Sequence, residues 1–338
     1  MHEHRPYPFF LAYALEADPD SLGEVDDWQV EWKWDGIRAQ LLRRQDGASL
    51  WSRGEELISG QFPELVEAGH RLPPGTAIDG EVLAWDATAR EPLPFSQLQQ
   101  RLGRKDPGAK IQREVPVVLL AYDLLEIDGV DVRSLPLGER RARLERLLEN
   151  DPMLPLVAPL EGSSWGEFAA RRREARDHHA EGLMLKRRDA AYGVGRTRGS
   201  WWKWKVDPYT IDAVLVYAQP GQGRRASLFT DYTFALWHHG ELVAFAKAYS
   251  GLTDAELRKV DAWIRSHTLE KFGPVRRVAP DLVFELAFES IQLSKRHKSG
   301  VAVRFPRILR WRLDKPPTEA DTLDKLKSLV AAEARGPL

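Results

Sequence analysis

Glu31-Trp32-Lys33-Trp34-Asp35-Gly36-Ile37-Arg38 is the stretch on which the reading of this chain turns. A lysine sits between two indoles, just before an Asp-Gly turn signal, with strand-like sequence on either side. The indoles strip water from an ammonium, and Arg38, five residues on, repels it. Both effects favour the free amine that a nucleophilic lysine needs. The same eight residues also read as an edge strand with alternating aromatics and a solvated lysine, closed by a type I′ turn. The rest of the chain has to decide between the two.

The chain has 338 residues, enough for about two domains. Hydrophobic residues make up 43% and charged residues 29%, which excludes a disordered or fibrous polymer. There is no Cys, so disulfides, thiolate metal sites and a Cys nucleophile are excluded. No apolar run approaches the ~20 residues of a membrane span. The stretch Phe9–Leu15 is too short for a signal peptide and lacks a basic leader. A cytoplasmic protein with no membrane partner is the expectation. Overall charge is balanced, with 49 Lys+Arg against 50 Asp+Glu. Residues 1–206 are net −5, residues 207–338 are net +4, and Lys295–Lys315 holds eight basic residues and one acidic. A polyanion could therefore be met locally.

Strands are expected at Trp28–Trp34, Arg38–Leu42, Ala77–Trp85, Val117–Leu125 and Gly182–Arg187. Asp-Gly pairs at Asp35-Gly36, Asp79-Gly80 and Asp128-Gly129 suggest three hairpins. Helices are expected at Gly60–Arg71, Leu137–Glu149 and Trp165–His179. After Lys205, short strands at Ile211–Tyr217, Ser227–Trp237, Glu241–Ser250, Leu282–Ile291 and Ile308–Arg312 surround one helix, Thr253–Lys271. Thr253 caps that helix, and Glu256 completes a capping box. Five strands and a helix suggest a small barrel of the OB type. The expected organisation is an α+β domain of antiparallel sheets with helices over 1–206, then an OB-fold β-barrel over 207–338. The boundary falls near Val206–Tyr209, where Pro208 interrupts the pattern.

Further clusters bear on Lys33. Ser52-Arg53-Gly54-Glu55 follows a strand-like segment, and Asp79-Gly80-Glu81 lies within an apolar strand. Glu181 opens the strand that carries Lys186 near its end, and Lys203 and Lys205 alternate on one strand face. Two carboxylates suit a hard divalent cation, and several cations suit phosphate. Singly, each cluster also reads as a hairpin turn or a solvated face.

In order and spacing these clusters resemble the covalent nucleotidyltransferases: the ATP-dependent DNA and RNA ligases and the mRNA capping enzymes. Lys33-x-Asp35-Gly36-x-Arg38 is similar to motif I, Ser52-Arg53 to motif Ia and Asp79-Gly80-Glu81 to motif III. Tyr122-Asp123-Leu124-Leu125 is similar to motif IIIa, with Tyr122 where Phe is usual. Glu181-Gly182 through Lys186 is similar to motif IV and Trp202–Lys205 to motif V. Arg304-Phe305-Pro306-Arg307 with Arg310, Arg312, Asp314 and Lys315 is similar to motif VI. Gly251-Leu252-Thr253-Asp254 and the tail from Asp314-Lys315-Pro316-Pro317 to Leu323 resemble the bacterial ATP-dependent DNA ligases most, in a minimal form or a catalytic core without an N-terminal helical DNA-binding domain.

The resemblance implies that Lys33 attacks ATP and carries AMP, passes it to the 5′-phosphate of a nick in duplex DNA, and releases it when the 3′-hydroxyl seals the strand. It implies Mg²⁺, or Mn²⁺, at Glu81 and Glu181. Glu31 and Tyr122 are implied as adenine contacts, Arg38 and Arg53 as ribose or phosphate contacts, and Glu81 also as a ribose contact. Lys186, Arg198, Lys203 and Lys205 are implied as nucleotide ligands. Arg304, Arg307, Arg310, Arg312, Asp314 and Lys315 would face the pyrophosphate on a barrel that closes over the nucleotide. A monomer near the bacterial nucleoid, serving DNA repair, recombination or replication, is the corresponding expectation. Trp32, Trp34, Trp202 and Trp204 are expected to border the pocket. Arg171, Arg172, Arg173 and Arg176 are expected on a solvated helix face, and His178-His179 and His238-His239 at the surface. The alternatives are an RNA ligase or capping-type guanylyltransferase, and a non-catalytic nucleic-acid binder.

Overall fold

A computed structural model describes residues 5–104, 106–223 and 226–334. The chain folds into two compact units, Met1–Val206 and Asp207–Leu338. No helix among the described residues is long and apolar enough to cross a membrane.

The first unit is built on two main sheets, antiparallel except where Tyr13–Ala14 pairs parallel to Trp201–Lys205. The larger runs Gly47–Ser52, Ile37–Arg44, Thr76–Asp86, Val117–Ile127 and Val130–Asp131 in spatial order. The smaller runs Tyr13–Ala14, Trp201–Lys205, Ala180–Arg187 and Trp28–Trp34. One face of the larger sheet buries Leu41, Ile78, Leu119 and Ala121 with Leu65 and Ala68 of helix Pro63–His70 and Leu144 of helix Leu137–Leu147. Its other face meets the smaller sheet through Phe10, Leu83, Leu120, Tyr122, Tyr192 and Trp201. The two-residue period explains the split, since alternate side chains of a strand take opposite faces.

The three Asp-Gly pairs take three different roles, which corrects the hairpin reading. Asp128-Gly129 does turn a hairpin, between Ile127 and Val130. Asp35-Gly36 carries the chain from the smaller sheet to the larger, so no hairpin forms there. Asp79-Gly80 lies in mid-strand, where a Cβ on Gly80 would stand 2.8 Å from the Leu120 carbonyl oxygen. Close packing of a central strand requires that glycine.

The second unit curls around strand Tyr209–Pro220, which pairs with Phe229–His238, Val275–Val278 and Val283–Phe288. Helix Asp254–Ser266 is capped as expected, with Thr253 and Glu256 forming the full box. It ends sooner than its periodicity suggested: Thr268–Phe272 is a strand paired with Val275–Val278. Leu282–Ile291 likewise divides into Val283–Phe288 and Ser290–Leu293, which belong to different sheets. The core holds Leu215, Phe234, Phe284, Leu286 and Ile308, closed by Leu257 and Ile264 of the helix.

Candidate active site

Lys33 lies near the end of strand Trp28–Trp34, facing a bulge in strand Ala180–Arg187. Ala180 pairs with Trp34 and Leu183 with Trp32, so Glu181 and Gly182 together oppose Lys33. The extra residue re-aims the strand. Gly182 adopts φ +140°, and a Cβ there would lie 2.3 Å from the Trp204 carbonyl oxygen, so only glycine fits. The result is a 2.5 Å hydrogen bond from Lys33 Nζ to Glu181 Oε2.

Lys205 Nζ reaches the same oxygen at 3.2 Å. Burial pushes the Glu181 carboxyl up, but Lys33 and Lys205 outweigh it and hold the group below the usual carboxylate range. Lys203 alternates with Lys205 on its strand and stands opposite Met184. It has no side-chain partner among the described residues. Burial, then Lys205, Arg196 and Lys33, push its ammonium below the ordinary lysine value. Glu81 projects from the larger sheet. Burial drives its carboxyl up to about 7 against the pull of Lys33 and Arg38, with Asp79 and Glu181 adding to the rise. Three lysines and two carboxylates thus converge on one region between the sheets.

Glu31 is 2% exposed, and its two oxygens accept from Gln29 Nε2 at 2.5 Å and Lys186 Nζ at 2.7 Å. Lys186 Nζ also stands 4.1 Å from the Tyr122 ring centroid and 4.7 Å from that of Trp201. Tyr122 is therefore a buried floor carrying a cation. Arg38 spends four N–H directions internally: Nε and Nη2 on Asp79, Nη1 on the Phe10 carbonyl and Nη2 on the Tyr192 hydroxyl. This corrects the picture of Arg38 as simply a repelling neighbour of Lys33, since Asp79 balances its charge. Arg53 is exposed, and its backbone N–H donates to the Arg38 carbonyl at 3.1 Å. Arg198 and Arg196 stand over the Tyr13 ring at 5.3 and 5.5 Å.

Three of the four tryptophans expected around the pocket lie elsewhere. Trp32, Trp202 and Trp204 pack on the far face of the smaller sheet with Trp28, Trp165 and Phe168. Lysine and tryptophan alternate in both segments, so the face that presents lysine necessarily turns those indoles away. Trp201, 1% exposed, is the indole beneath the site. Trp34 packs with the cluster between the sheets and lines a cavity of about 260 Å³ with Trp85, Leu120 and His179. Arg171 and Arg173 are exposed, whereas Arg172 is half-buried: its Nε donates to the Lys205 carbonyl at 2.6 Å, with Trp204 5.2 Å away. His178 is exposed and stacks on Trp32 at 4.7 Å.

The motif VI cations belong to the second unit, and most are already paired there. Arg307 meets Glu289 at 2.9 Å and Arg310 meets Glu285 at 2.6 Å. Arg312 is held between Asp212 and Asp314, and Lys315 donates to Asp212 at 2.7 Å. Arg312 holds the Asp314 carboxyl down at about 2. Arg304 lies 5.0 Å over Phe305, whose φ is +53°. Arg307, Arg310, Arg312 and Lys315 are thus in ion pairs within this unit. Most of the counter-charges, Asp212, Glu285 and Glu289, come from outside the motif.

Sequence reading missed Tyr192 and Arg140. Arg140 and Asp123 form a wholly buried pair, with Nε–Oδ1 at 2.7 Å and Nη2–Oδ2 at 2.9 Å, behind Tyr122. Arg140 sat unmarked on a polar-looking helix. Tyr192 sat in a segment with no periodicity to place it.

Comparison with known proteins places this chain in a family. Residues 10–205 match the ATP dependent DNA ligase domain, and residues 225–315 match the ATP dependent DNA ligase C terminal region. A probable DNA ligase of Koribacter versatilis is 39% identical over 98% of this chain, and one of Opitutus terrae is 41% identical over 91%. A DNA ligase of Natronomonas pharaonis is 35% identical over 97%. The chain spans 62%, 33% and 59% of those curated relatives. Among solved structures, one from a study of Lig E DNA ligases superposes with TM-score 0.62 at 19% identity, covering 90% of this chain and 99% of that one. A mycobacterial DNA ligase D complexed with ATP superposes with TM-score 0.51 at 24% identity, covering 95% and 99%. These likenesses support the fold: a nucleotidyltransferase domain followed by an OB-fold domain. The chain belongs to the ATP-dependent DNA ligase family.

Proposed function

We propose that this chain seals nicks in duplex DNA, acting as a monomer through an AMP carried on Lys33. The observation that carries the reading is the bulge at Glu181-Gly182, which fixes Lys33 Nζ at 2.5 Å from one carboxylate that Lys205 also reaches. A lysine serving only solubility needs no such device. A phosphate entering this region gains Lys203 at once and competes with Glu181 for Lys205.

In the reaction, Lys33 Nζ gives up a proton and bonds to the α-phosphorus of ATP. The bond from phosphorus to the β-bridging oxygen breaks, and pyrophosphate leaves with the electron pair. Lys203 and Lys205 would offset charge on the α-phosphate, and Glu181 would orient the amine, so catalysis is mainly positioning and electrostatics. Glu31, held by Lys186 and Gln29 as a hydrogen-bond acceptor, suits the exocyclic amine of adenine. Glu81 and Glu181 are hard oxygen donors that fit Mg²⁺, and the raised Glu81 carboxyl is the one a cation would ionise. Such a cation would supply positive charge to the phosphate oxygens. In the second unit, Arg310 has terminal nitrogens without partners among the described residues and is the foremost phosphate contact.

The alternatives of an RNA ligase or guanylyltransferase are not favoured by the family match. The test is sealing of a nicked duplex with ATP and Mg²⁺. Sealed DNA, absent with Lys33→Ala, is expected. Joining only of nicked RNA, or use of GTP alone, would contradict the reading.

A further inference from the structure

Tyr192 has every capacity of its hydroxyl committed. It donates to Asp79 Oδ2 at 2.6 Å, and it accepts from Arg38 Nη2 at 3.2 Å and from the Phe10 backbone N–H at 3.2 Å. A tyrosine hydroxyl has one proton to give and two lone pairs, so nothing is left over. Through that one oxygen, three segments distant in sequence meet: the start of the chain, the strand of motif I and the strand of motif III. The ring is fixed independently, edge-on to Phe10 at 5.8 Å and to Trp201 at 5.7 Å. The backbone N–H of Tyr192 is anchored on the Arg133 carbonyl at 2.8 Å.

Asp79 is wholly buried and accepts from Arg38 twice, from Tyr192 and from the Tyr122 hydroxyl at 3.2 Å. Arg38 and Tyr122 are the two nucleotide contacts that this node touches. We propose that Tyr192 is a positioning residue for nucleotide binding, acting through Asp79 and Arg38 to fix the guanidinium that faces the sugar and phosphate of ATP. The proposal rests on the reading of Lys33 as the acceptor of AMP. Its own claim concerns where the binding energy comes from. An arginine with four bonds already made has one orientation, and the entropy of ordering it is lost before the ligand arrives. Without the hydroxyl, Arg38 keeps Asp79 and the Phe10 carbonyl but loses its third partner, and the Phe10 N–H is left without its acceptor.

The experiment uses the full chain with Tyr192→Phe, which keeps the ring contacts and removes one oxygen. ATP affinity is measured by calorimetric titration in a Lys33→Ala background, where no covalent step intervenes, and lysyl-adenylate formation is measured with Lys33 intact. The expected result is an approximately tenfold weaker Kd and a matching rise in KM, with kcat within about threefold. In an Arg38→Ala background the same substitution should change Kd by less than twofold, because a residue acting through Arg38 has nothing left to position. A Tyr192→Phe protein that melts earlier but binds ATP normally would overturn the proposal, as would one that fails to fold or an equal penalty in both backgrounds. ATP binding with no label on wild-type Lys33 would contradict the covalent reading instead, while the affinity comparison still tests Tyr192.

Discussion

At the scale of single residues, the account turns on how few carboxylates face how many cations. Glu181 serves Lys33 and Lys205 at once, and Lys203 has no side-chain partner among the described residues. Glu181→Gln keeps the shape but removes the charge that aims Lys33. Label transfer from ATP to the protein should fall about 100-fold, measured as an initial rate. Glu81 behaves oppositely. Its folded-state value of about 7 lies above the unfolded 4.5, so its stabilising contribution is complete below about 4.5 and is lost as pH rises through 7. In metal-free buffer, the melting temperature of Glu81→Gln relative to wild type should climb between pH 5 and 8, by an amount worth at most about 3 kcal/mol. A flat difference would show that Glu81 is not perturbed. The octapeptide left Lys33 open between a nucleophile and a solvated lysine, and Glu181 as its partner was not legible at all, because 148 positions separate them and a bulge brings them together.

Elements show where local pattern suffices and where it fails. The strand Trp28–Trp34 was read to its ends, since its composition allows nothing else. The helix expected over Thr253–Lys271 was read correctly at its capped start, but its end was overrun. Strand pairing of Thr268–Phe272 with Val275–Val278 outweighs the propensity of the intervening residues. Asp79-Gly80 misled for a related reason: a glycine forced by close packing looks the same in sequence as one forced by a turn. Gly182 offers a direct test of the bulge. Gly182→Ala should abolish most label transfer, because its Cβ meets backbone at 2.3 Å as well as φ +140°. Gly195→Ala, at φ +64° in open space, should cost only about 1–2 kcal/mol and leave the reaction intact. Urea unfolding should likewise show that Arg140→Ala costs about 3–5 kcal/mol, since it leaves Asp123 buried and unpaired.

On the scale of the whole molecule, the family resemblance was legible in the sequence, whereas the pairing of charge in the second unit was not. A count of the chain shows eight basic residues within Lys295–Lys315. Asp212, Glu285 and Glu289 neutralise much of it from neighbouring strands, which no sequence window of that size can include. In the first unit, Lys203 has no side-chain partner among the described residues, where two sheets from distant parts of the chain converge. The most direct measurement is incubation of the chain with α-labelled ATP and Mg²⁺, followed by peptide mapping. The account predicts one acid-labile adduct on the peptide containing Lys33, lost in Lys33→Ala and discharged by pyrophosphate. An adduct on any other lysine, or none at all, would contradict it.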